Sequence, residues 1–320
     1  MLHLSLDKKD KDLLFELSLD GRISITKLAQ RLKVSKQVVS YRLQQLEKNG
    51  AILGYYAITN SYQLGMTHYR LYIKYQNMSQ EKEKEFMTFL KNHKKVIWLV
   101  YLDGDMDAAI AVWAKNIHEF EDVQDEIKEK YGIYFQDCFF SISTRIEYLK
   151  YKFLNGARDT SSRVFGGGYD NIELDELDAN LLQDLNTNGR ATLVELANKY
   201  NSSAKVIRSR IERLVKRGVI IGFNVKIDHN LVGYTHHKIF LKLNDVRKEK
   251  VLEWSKYLKH LKCTIYLVKP IGNFDFEVEL MTESDQEFHD FMKNLRSRFA
   301  SEIKSYNSVI HYEEPKSGQL

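Results

Sequence analysis

Cysteine is scarce in this sequence, and long apolar runs are missing from it. The 320 residues contain two cysteines, Cys138 and Cys263, which lack the spacing of metal ligands and have aromatic or β-branched neighbours. This pattern excludes a disulfide scaffold and predicts reduced, buried thiols. No run of roughly eighteen apolar residues occurs, and the N-terminal MLHLSLDKKDKD has no apolar signal core. We therefore predict a soluble, cytoplasmic protein that does not span a membrane.

The sequence signatures of common catalytic centres are also missing. No Ser-His-Asp arrangement and no phosphate-binding loop is visible, and the histidines do not form a spaced metal set. We therefore predict no enzyme, no catalytic residue, no metal site and no cofactor. The net charge is only +5, so a strongly basic patch has to be local.

The sequence does contain a long internal repeat. Its apolar content of 43% and aromatic content of 12% permit real cores, and its length suits two to four domains. Residues 6–65 align with residues 174–233 without a gap, at an offset of 168 residues. The same register joins GDMDAAIAV (104–112) to GNFDFEVEL (272–280). We interpret the chain as two copies of one unit of about 150 residues.

Each copy has a helical first zone and an alternating second zone. Three helices and a β-rich segment come first, and a β-α-β-β-α-β pattern follows. The predicted fold class is α+β, with two tandem units that each combine a winged-helix-like helix-turn-helix domain with a ferredoxin-like sandwich. The predicted segments are helix-turn-helix domains at 1–60 and 174–228, βαββαβ domains at 61–154 and 229–314, and a flexible linker at 155–173.

The third helix of the second copy is strongly basic. SAKVIRSRIERLVKRG (203–218) carries six cations and one acid, and it stands in the position of a recognition helix. Ile207, Ile211, Leu214 and Val215 form its predicted buried stripe. A solvated surface is the ordinary fate of such charges, but the sign imbalance and the helix order favour phosphate and base contacts. The side chains predicted to contact double-stranded DNA are Ser35, Lys36, Gln37, Ser40, Tyr41 and Arg42 in the first copy and Ser203, Lys205, Arg208, Ser209, Arg210 and Arg213 in the second.

These motifs resemble the Lrp/AsnC family of transcription regulators. The pattern L-D-x-x-D-x-x-L-L-x-x-L, then G-R, then L-A, then S-x-x-V-x-x-R, then G-x-I-x-G occurs twice, from Leu6 to Gly54 and from Leu174 to Gly222. The resemblance implies a regulator whose fused units act as a pseudo-dimer through the free sheet faces, with further homo-oligomerisation. The turn before the third helix departs from the family's frequent Gly, since Lys33 and Asn201 stand there. Lys tolerates a left-handed conformation poorly, so the first turn is expected to differ in shape.

The resemblance also implies a small effector, such as an amino acid, at the turn between two strands. The residues concerned are Gly104, Asp105 and Asp107 in the first copy and Gly272, Asn273 and Asp275 in the second. A plain hairpin turn is the alternative interpretation of the same residues.

Two alternatives to a specific regulator stay open. Sirohaem decarboxylases resemble this two-zone architecture and use His and Arg to hold tetrapyrrole carboxylates, and the adjacent His236 and His237 fit that class. Against it, both third helices keep their Arg and hydroxyl residues. A DNA-binding architectural protein of low specificity is the other alternative.

Overall fold

The computed structural model describes residues 3–166, 170–244 and 247–317. The helices are α1 Lys8–Leu19, α2 Ile25–Leu32, α3 Lys36–Lys48, α4 Gln80–Asn92, α5 Ile117–Tyr131, α6 Glu176–Thr187, α7 Leu193–Lys199, α8 Ala204–Lys216, α9 Lys248–His260 and α10 Asp285–Arg298. The strands are β1 Ile52–Thr59, β2 Thr67–Tyr75, β3 Val96–Gly104, β4 Ala108–Ala114, β5 Phe135–Leu149, β6 Ser162–Gly166, β7 Ile220–Ile227, β8 Thr235–Leu243, β9 Thr264–Gly272, β10 Phe276–Thr282 and β11 Ile303–Ser317. Unit 1 comprises α1 to β5, and unit 2 comprises α6 to β11. None of the helices in these described stretches is long and apolar enough to cross a membrane.

Each unit begins with a capped three-helix domain followed by a strand. Ser24 and Ser35 cap α2 and α3, and Thr192 and Ser203 cap the equivalent helices of unit 2. Each of these hydroxyls accepts a hydrogen bond from an otherwise unsatisfied backbone N–H of the first turn. The strands that follow, β1 and β7, pair antiparallel with each other, so the two helix-turn-helix domains share a two-stranded ribbon.

The two βαββαβ domains form one closed barrel. The ring order is β2-β4-β3-β11-β8-β10-β9-β5, and β5 pairs with β2 to close it. Two seams join the units, where β3 pairs with β11 and β5 pairs with β9. The predicted α+β fold with two tandem units is confirmed, and the sheet faces do oppose each other, with Tyr72 and Phe139 of unit 1 packed on Phe240 of unit 2.

Alternation along the strands divides the barrel residues between two environments. In β2, Tyr69, Leu71 and Ile73 pack on helices α4 and α5, as the helix-facing core of unit 1. The intervening side chains, His68, Arg70 and Tyr72, point to the barrel interior because successive strand residues face opposite sides. The same alternation holds in β8, where Ile239 and Leu241 pack on the helices of unit 2.

The segment predicted as a linker contains regular structure. Residues 162–166 form β6, which pairs with β5 outside the ring, and Phe165 is buried. Residues 167–169 of the predicted linker lie outside the described residues. The boundaries of the five segments stay a prediction.

Both turns before the recognition helices adopt the same left-handed conformation. Lys33 has φ 53° and Asn201 has φ 48°. The expectation that the first turn differs in shape is therefore wrong. A left-handed conformation costs a non-glycine residue roughly 1–2 kcal/mol, so the packing of α2 against α3 imposes it on Lys33.

Candidate nucleic-acid interface and adjacent cavity

Helix α8 presents cations that make no ion pair among the described residues. Lys205, Arg208 and Lys216 are exposed along the helix, and Arg217 is exposed at its C-cap. Ile207 and Leu214 anchor the opposite face in the core. The prediction that Val215 belongs to the buried stripe is wrong, since this side chain is 47% exposed.

Two other arginines of α8 are bound internally. Arg210 forms ion pairs with Asp175 and Asp178, and Arg213 forms ion pairs with the same two carboxylates. Asp178 is almost wholly buried. The hydrogen bond from Arg210 lowers the pKa of Asp175. These arginines fasten α8 to α6, so they are less available for phosphate than Arg208.

Unit 1 repeats this attachment with one arginine. Arg42 lies 2.8 Å from Asp7 and 2.7 Å from Asp10, measured from its Nη1 to their carboxylate oxygens. The repeated D-x-x-D and the repeated Arg of the third helix thus form one structural element that holds the first helix against the recognition helix. Three of the predicted DNA contacts, Arg42, Arg210 and Arg213, thus bind carboxylates of the first helix of their unit or of its N-cap.

The remaining predicted DNA contacts lie on the outer face of the recognition helices. Exposed members are Ser35, Lys36, Gln37, Tyr41, Ser203, Lys205, Arg208 and Ser209, and Ser40 is half-buried. The ring of Tyr41 is 64% exposed, so it is accessible to a partner on this face. Hydroxyls, amides and cations together on one exposed helix face suit contacts with both phosphates and base edges.

A glycine and an arginine in each unit join the two helix-turn-helix domains. The backbone N–H groups of Gly21 and Gly189 donate to Phe223 and Tyr55 of the opposite unit. A Cβ at Gly189 would meet the backbone of Tyr56 at 2.7 Å, so only glycine permits this approach.

The adjoining arginines complete this contact. Arg22 donates to the carbonyl of Ala191, and Arg190 donates to the carbonyl of Gly21. The repeated G-R motif therefore fixes the spacing of the two recognition helices within one chain.

A cavity of about 650 Å³ lies between the β1–β7 ribbon and one end of the barrel. Its walls include Trp98, Trp113, Tyr148 and Tyr266 together with the charged and imidazole groups described next. The volume falls within the range of sites that take small molecules, roughly 300–1,000 Å³.

Four buried charges occupy the barrel interior next to this cavity. Lys238 Nζ lies 2.8 Å from Glu277 and 2.9 Å from Glu279, and Arg70 pairs with Glu277. Burial raises the pKa of Glu277, but Lys238 and Arg70 outweigh it and leave this pKa below the usual range. The two cations and two anions cancel, so the group is neutral as a whole.

Histidines surround the same end of the barrel. His236 Nε2 lies 3.2 Å from Glu279, and the ring of His311 lies 4.0 Å from that of His236. Burial, and then His236, holds the pKa of His311 well below the usual range. Burial also lowers the pKa of His229 to about 3.

This cluster is not visible in the local sequence, because its members come from separate strands. A signal was available in the repeat itself. At the offset of 168 residues, Glu277 and Glu279 of β10 replace Ala109 and Ala111 of β4. Paired carboxylates at alternate positions of an otherwise apolar strand are unexpected in a core.

The predicted effector residues lie at the opposite end of the barrel. Asp107 accepts a hydrogen bond from the backbone N of Tyr75 at 2.7 Å, and Asp275 accepts one from Leu243 at 2.9 Å. Gly104 and Gly272 end their strands, and Asp105 and Asn273 are exposed. Since β2 runs from the cavity to this turn, the two places are roughly 20–25 Å apart. The effector assignment of these residues stays a prediction.

Comparisons with known proteins agree with the architecture. Residues 6–52 match the family model described as winged helix-turn-helix DNA-binding, and residues 174–215 match the AsnC-type helix-turn-helix domain. An HTH-type transcriptional regulator of Pyrococcus furiosus is 30% identical over 124 residues, which is 38% of this chain and 80% of that protein. LrpA, an HTH-type transcriptional regulator of Pyrococcus horikoshii, is 32% identical over 137 residues, 43% of this chain and 96% of that protein.

A fold similarity extends over nearly the whole chain. The crystal structure of the siroheme decarboxylase NirDL covers 98% of this chain and 94% of its own, with a TM-score of 0.65 and 14% sequence identity. At this identity the likeness concerns the fold, in which two units close one barrel.

Fold and motifs together define a DNA-binding protein with two helix-turn-helix domains. The chain belongs to the Lrp/AsnC family of transcription regulators.

Proposed function

We propose that this protein is a sequence-specific transcription regulator that binds DNA as a single-chain pseudo-dimer. The observation that carries the proposal is the set of exposed cations on α8 that make no ion pair among the described residues, namely Lys205, Arg208 and Lys216. On α3 the exposed groups are mostly uncharged, with Gln37 and Tyr41 beside Lys36. Unit 2 therefore supplies more of the phosphate attraction, and unit 1 more of the polar readout.

The reciprocal contact between the helix-turn-helix domains supports a fixed DNA geometry. Each arginine of the two G-R motifs donates to a carbonyl of the opposite unit, so the recognition helices hold their spacing without a second chain. A dimer of such helices reads half-sites one helical turn apart, roughly 34–36 Å. Because the two helices differ in sequence, the operator is a rough rather than a perfect palindrome.

Fluorescence anisotropy with a duplex from the region upstream of the gene tests this proposal at several salt concentrations. The variant Lys205→Ala/Arg208→Ala/Lys216→Ala removes unpaired cations and leaves Arg210 and Arg213 on their carboxylates. Each lost phosphate contact flattens the slope of log K against log salt by about 0.9. The control Lys84→Ala/Lys91→Ala/Lys94→Ala removes the same charge from exposed positions in and after α4. Equal slopes for the variant and the control would contradict the proposal.

We propose further that a small molecule, such as an amino acid, binds in the barrel-end cavity and modulates DNA binding. The cavity touches the ribbon that joins the two helix-turn-helix domains, and Tyr55 and Tyr56 of β1 lie in its wall. Arg70 and His68 offer groups for a carboxylate, and Glu279 offers one for an ammonium. Trp113→Ala enlarges this cavity and should change the response to an effector, whereas Asp105→Ala tests the turn at the other end.

A tetrapyrrole enzyme is the second candidate. The cavity supports it, since His68, His236, His311 and Arg70 line a space bordered by aromatic rings, and the fold match is a siroheme decarboxylase. Absorbance of the purified protein in the Soret region, before and after addition of an iron tetrapyrrole, tests it. A bound tetrapyrrole that loses carbon dioxide in the presence of this protein would replace the regulator proposal; no absorbance change would exclude the enzyme.

A further inference from the structure

Three donor side chains from three neighbouring strands of unit 2 converge beside the cavity. They are His236 of β8, Glu279 of β10 and His311 of β11, and all three are buried. One ligand atom from each lies within 4.8 Å of the others. A metal ion lies about 2.0–2.2 Å from each imidazole nitrogen or carboxylate oxygen that binds it. Small side-chain movements are enough to bring these three ligand atoms to such distances from one ion.

The histidines of this cluster have unused nitrogen atoms. Both ring nitrogens of His311 are buried and have no hydrogen-bond partner among the described residues. His229 adds a third such atom, its Nε2, and its ring lies 5.4 Å from that of His236. A buried polar atom without a partner costs roughly 1–3 kcal/mol, so a ligand for these nitrogens is expected.

Only one of the two carboxylate oxygens of Glu279 is held by Lys238, and the other faces the proposed ligands. Lys238 holds Glu279 Oε1, while Oε2 faces His236. The second anion, Glu277, is taken by Lys238 and Arg70. The two cations and two anions of this group cancel, so no net positive charge repels an incoming divalent ion.

We propose that His236, Glu279 and His311 bind a divalent first-row transition-metal ion, with an open coordination position towards the cavity. Two imidazoles and one carboxylate suit Zn²⁺ and its neighbours rather than Mg²⁺ or Ca²⁺, which prefer all-oxygen sites. Three protein ligands leave a fourth position for water or a small molecule. The site does not depend on DNA binding, so its test is independent of the proposed function.

Unit 1 has the same fold at the equivalent place but lacks the donor set. At the offset of 168 residues, His68, Ala111 and Ser143 stand where His236, Glu279 and His311 stand in unit 2. His68 Nδ1 lies 3.0 Å from the hydroxyl of Ser143, so this ring nitrogen already has a partner within the protein. The unit 1 residues therefore supply matched substitutions: Glu279→Ala and His311→Ser.

Calorimetric titration of the full chain with Zn²⁺, after chelator treatment and buffer exchange, tests the site. One ion per chain is expected, and Glu279→Ala and His311→Ser should each weaken binding at least about tenfold, since even indirect partners of metal ligands contribute that much. His118→Ala removes a surface imidazole that is 84% exposed and should leave the affinity unchanged. Circular dichroism and thermal unfolding establish that each variant folds.

Co²⁺ provides a second readout that reports geometry. A four-coordinate Co²⁺ ion gives intense visible absorption, whereas a six-coordinate ion at the surface gives a weak spectrum. Intense absorption that disappears in His311→Ser supports the proposal. Zn²⁺ affinity that is the same in the wild type, Glu279→Ala and His311→Ser, or a loss in His118→Ala alone, overturns it.

Discussion

The two halves of the barrel have one fold and different interiors. At equivalent positions, unit 1 places Ala109 and Ala111 where unit 2 places Glu277 and Glu279. All four are buried, and both halves supply four strands to the ring. Small apolar residues fill these two strand positions in unit 1, so the barrel geometry alone does not require carboxylates there. In this chain Glu277 is needed as the partner of the buried Arg70 and Lys238.

This difference separates architecture from chemistry within a single chain. The helix-facing residues of β2 and β8 are apolar in both units apart from one position, where Tyr69 of unit 1 corresponds to His237 of unit 2. The titratable groups concentrate instead on the cavity side of unit 2. Substitutions that exchange residues between equivalent positions therefore test chemistry while the fold is kept constant.

The largest effect is expected at the buried ammonium of unit 2. Lys238→Met removes the shared partner of Glu277 and Glu279, and leaving a buried charge without its partner costs roughly 3–5 kcal/mol of unfolding free energy. Urea denaturation followed by circular dichroism measures it. Lys242→Met is the control, because Lys242 is partly exposed and 3.7 Å from Asp275, and a change below about 1 kcal/mol is expected there. Equal losses in both variants would contradict the importance of burial.

A smaller, pH-dependent effect is expected at the one titratable residue on the helix-facing side of β8. His237 stacks on Phe288 at 4.0 Å, as Tyr69 stacks on Phe120 at 4.7 Å in unit 1. Burial, and then His236, lowers the pKa of His237 from 6.5 to about 4. Between these two pH values the unfolded chain binds a proton at His237 and the folded protein does not. The contribution of neutral His237 to the unfolding free energy is therefore fully present above pH 6.5 and is lost as the pH falls towards 4.

His237→Tyr installs the unit 1 residue and removes this dependence. Between pH 7 and pH 4 the wild type should lose roughly 2–3 kcal/mol more unfolding free energy than the variant. Denaturation curves at stepped pH measure the difference. Parallel curves for the two proteins would show that His237 does not titrate in this way.

The smallest effect is expected at the turn before the first recognition helix. Lys33→Asn places the unit 2 residue in the left-handed conformation, which Asn tolerates better than Lys. A gain of about 0.5–1 kcal/mol in unfolding free energy is expected, and Asn201→Lys should lose a similar amount. Thermal unfolding of both variants measures this; changes of the same sign would contradict the shared strain.

The sequence predicts the helices and strands well, because capping residues and apolar periodicity are local signals. Helix α5 shows both signals, since Asn116 caps its first turn and Phe120, Val123 and Ile127 are buried at helical spacing. The repeat predicted the two-unit organisation for the same reason, since an offset is visible without any tertiary structure. The offset could also have shown the left-handed turn, because a Lys aligned with an Asn at a turn inherits its conformation.

The candidate sites were less predictable from the sequence. Arg42 and Arg210 are cations on recognition helices, which is typical of DNA contacts. Their carboxylate partners lie about 35 residues earlier, in or just before another helix. The periodicity of one helix does not reveal partners on another. His236, Glu279 and His311 come together because β8 lies between β11 and β10 in the ring. The sequence alone does not give this strand order. Strand β6 was not predicted, because its segment is rich in Gly and Ser. It forms by pairing with the long strand β5, which its own sequence does not show.

The two seams of the barrel bear on how the chain is made. Strand β3 pairs with β11, so Leu102 meets His311 only when almost the whole chain has left the ribosome. Until then, β3 and β5 are open edges, and unpaired edges are templates for pairing with other chains. Contacts so distant in sequence also form slowly. A half-synthesised chain is therefore the species most prone to misassembly, and slow translation through unit 2 would lengthen its exposure.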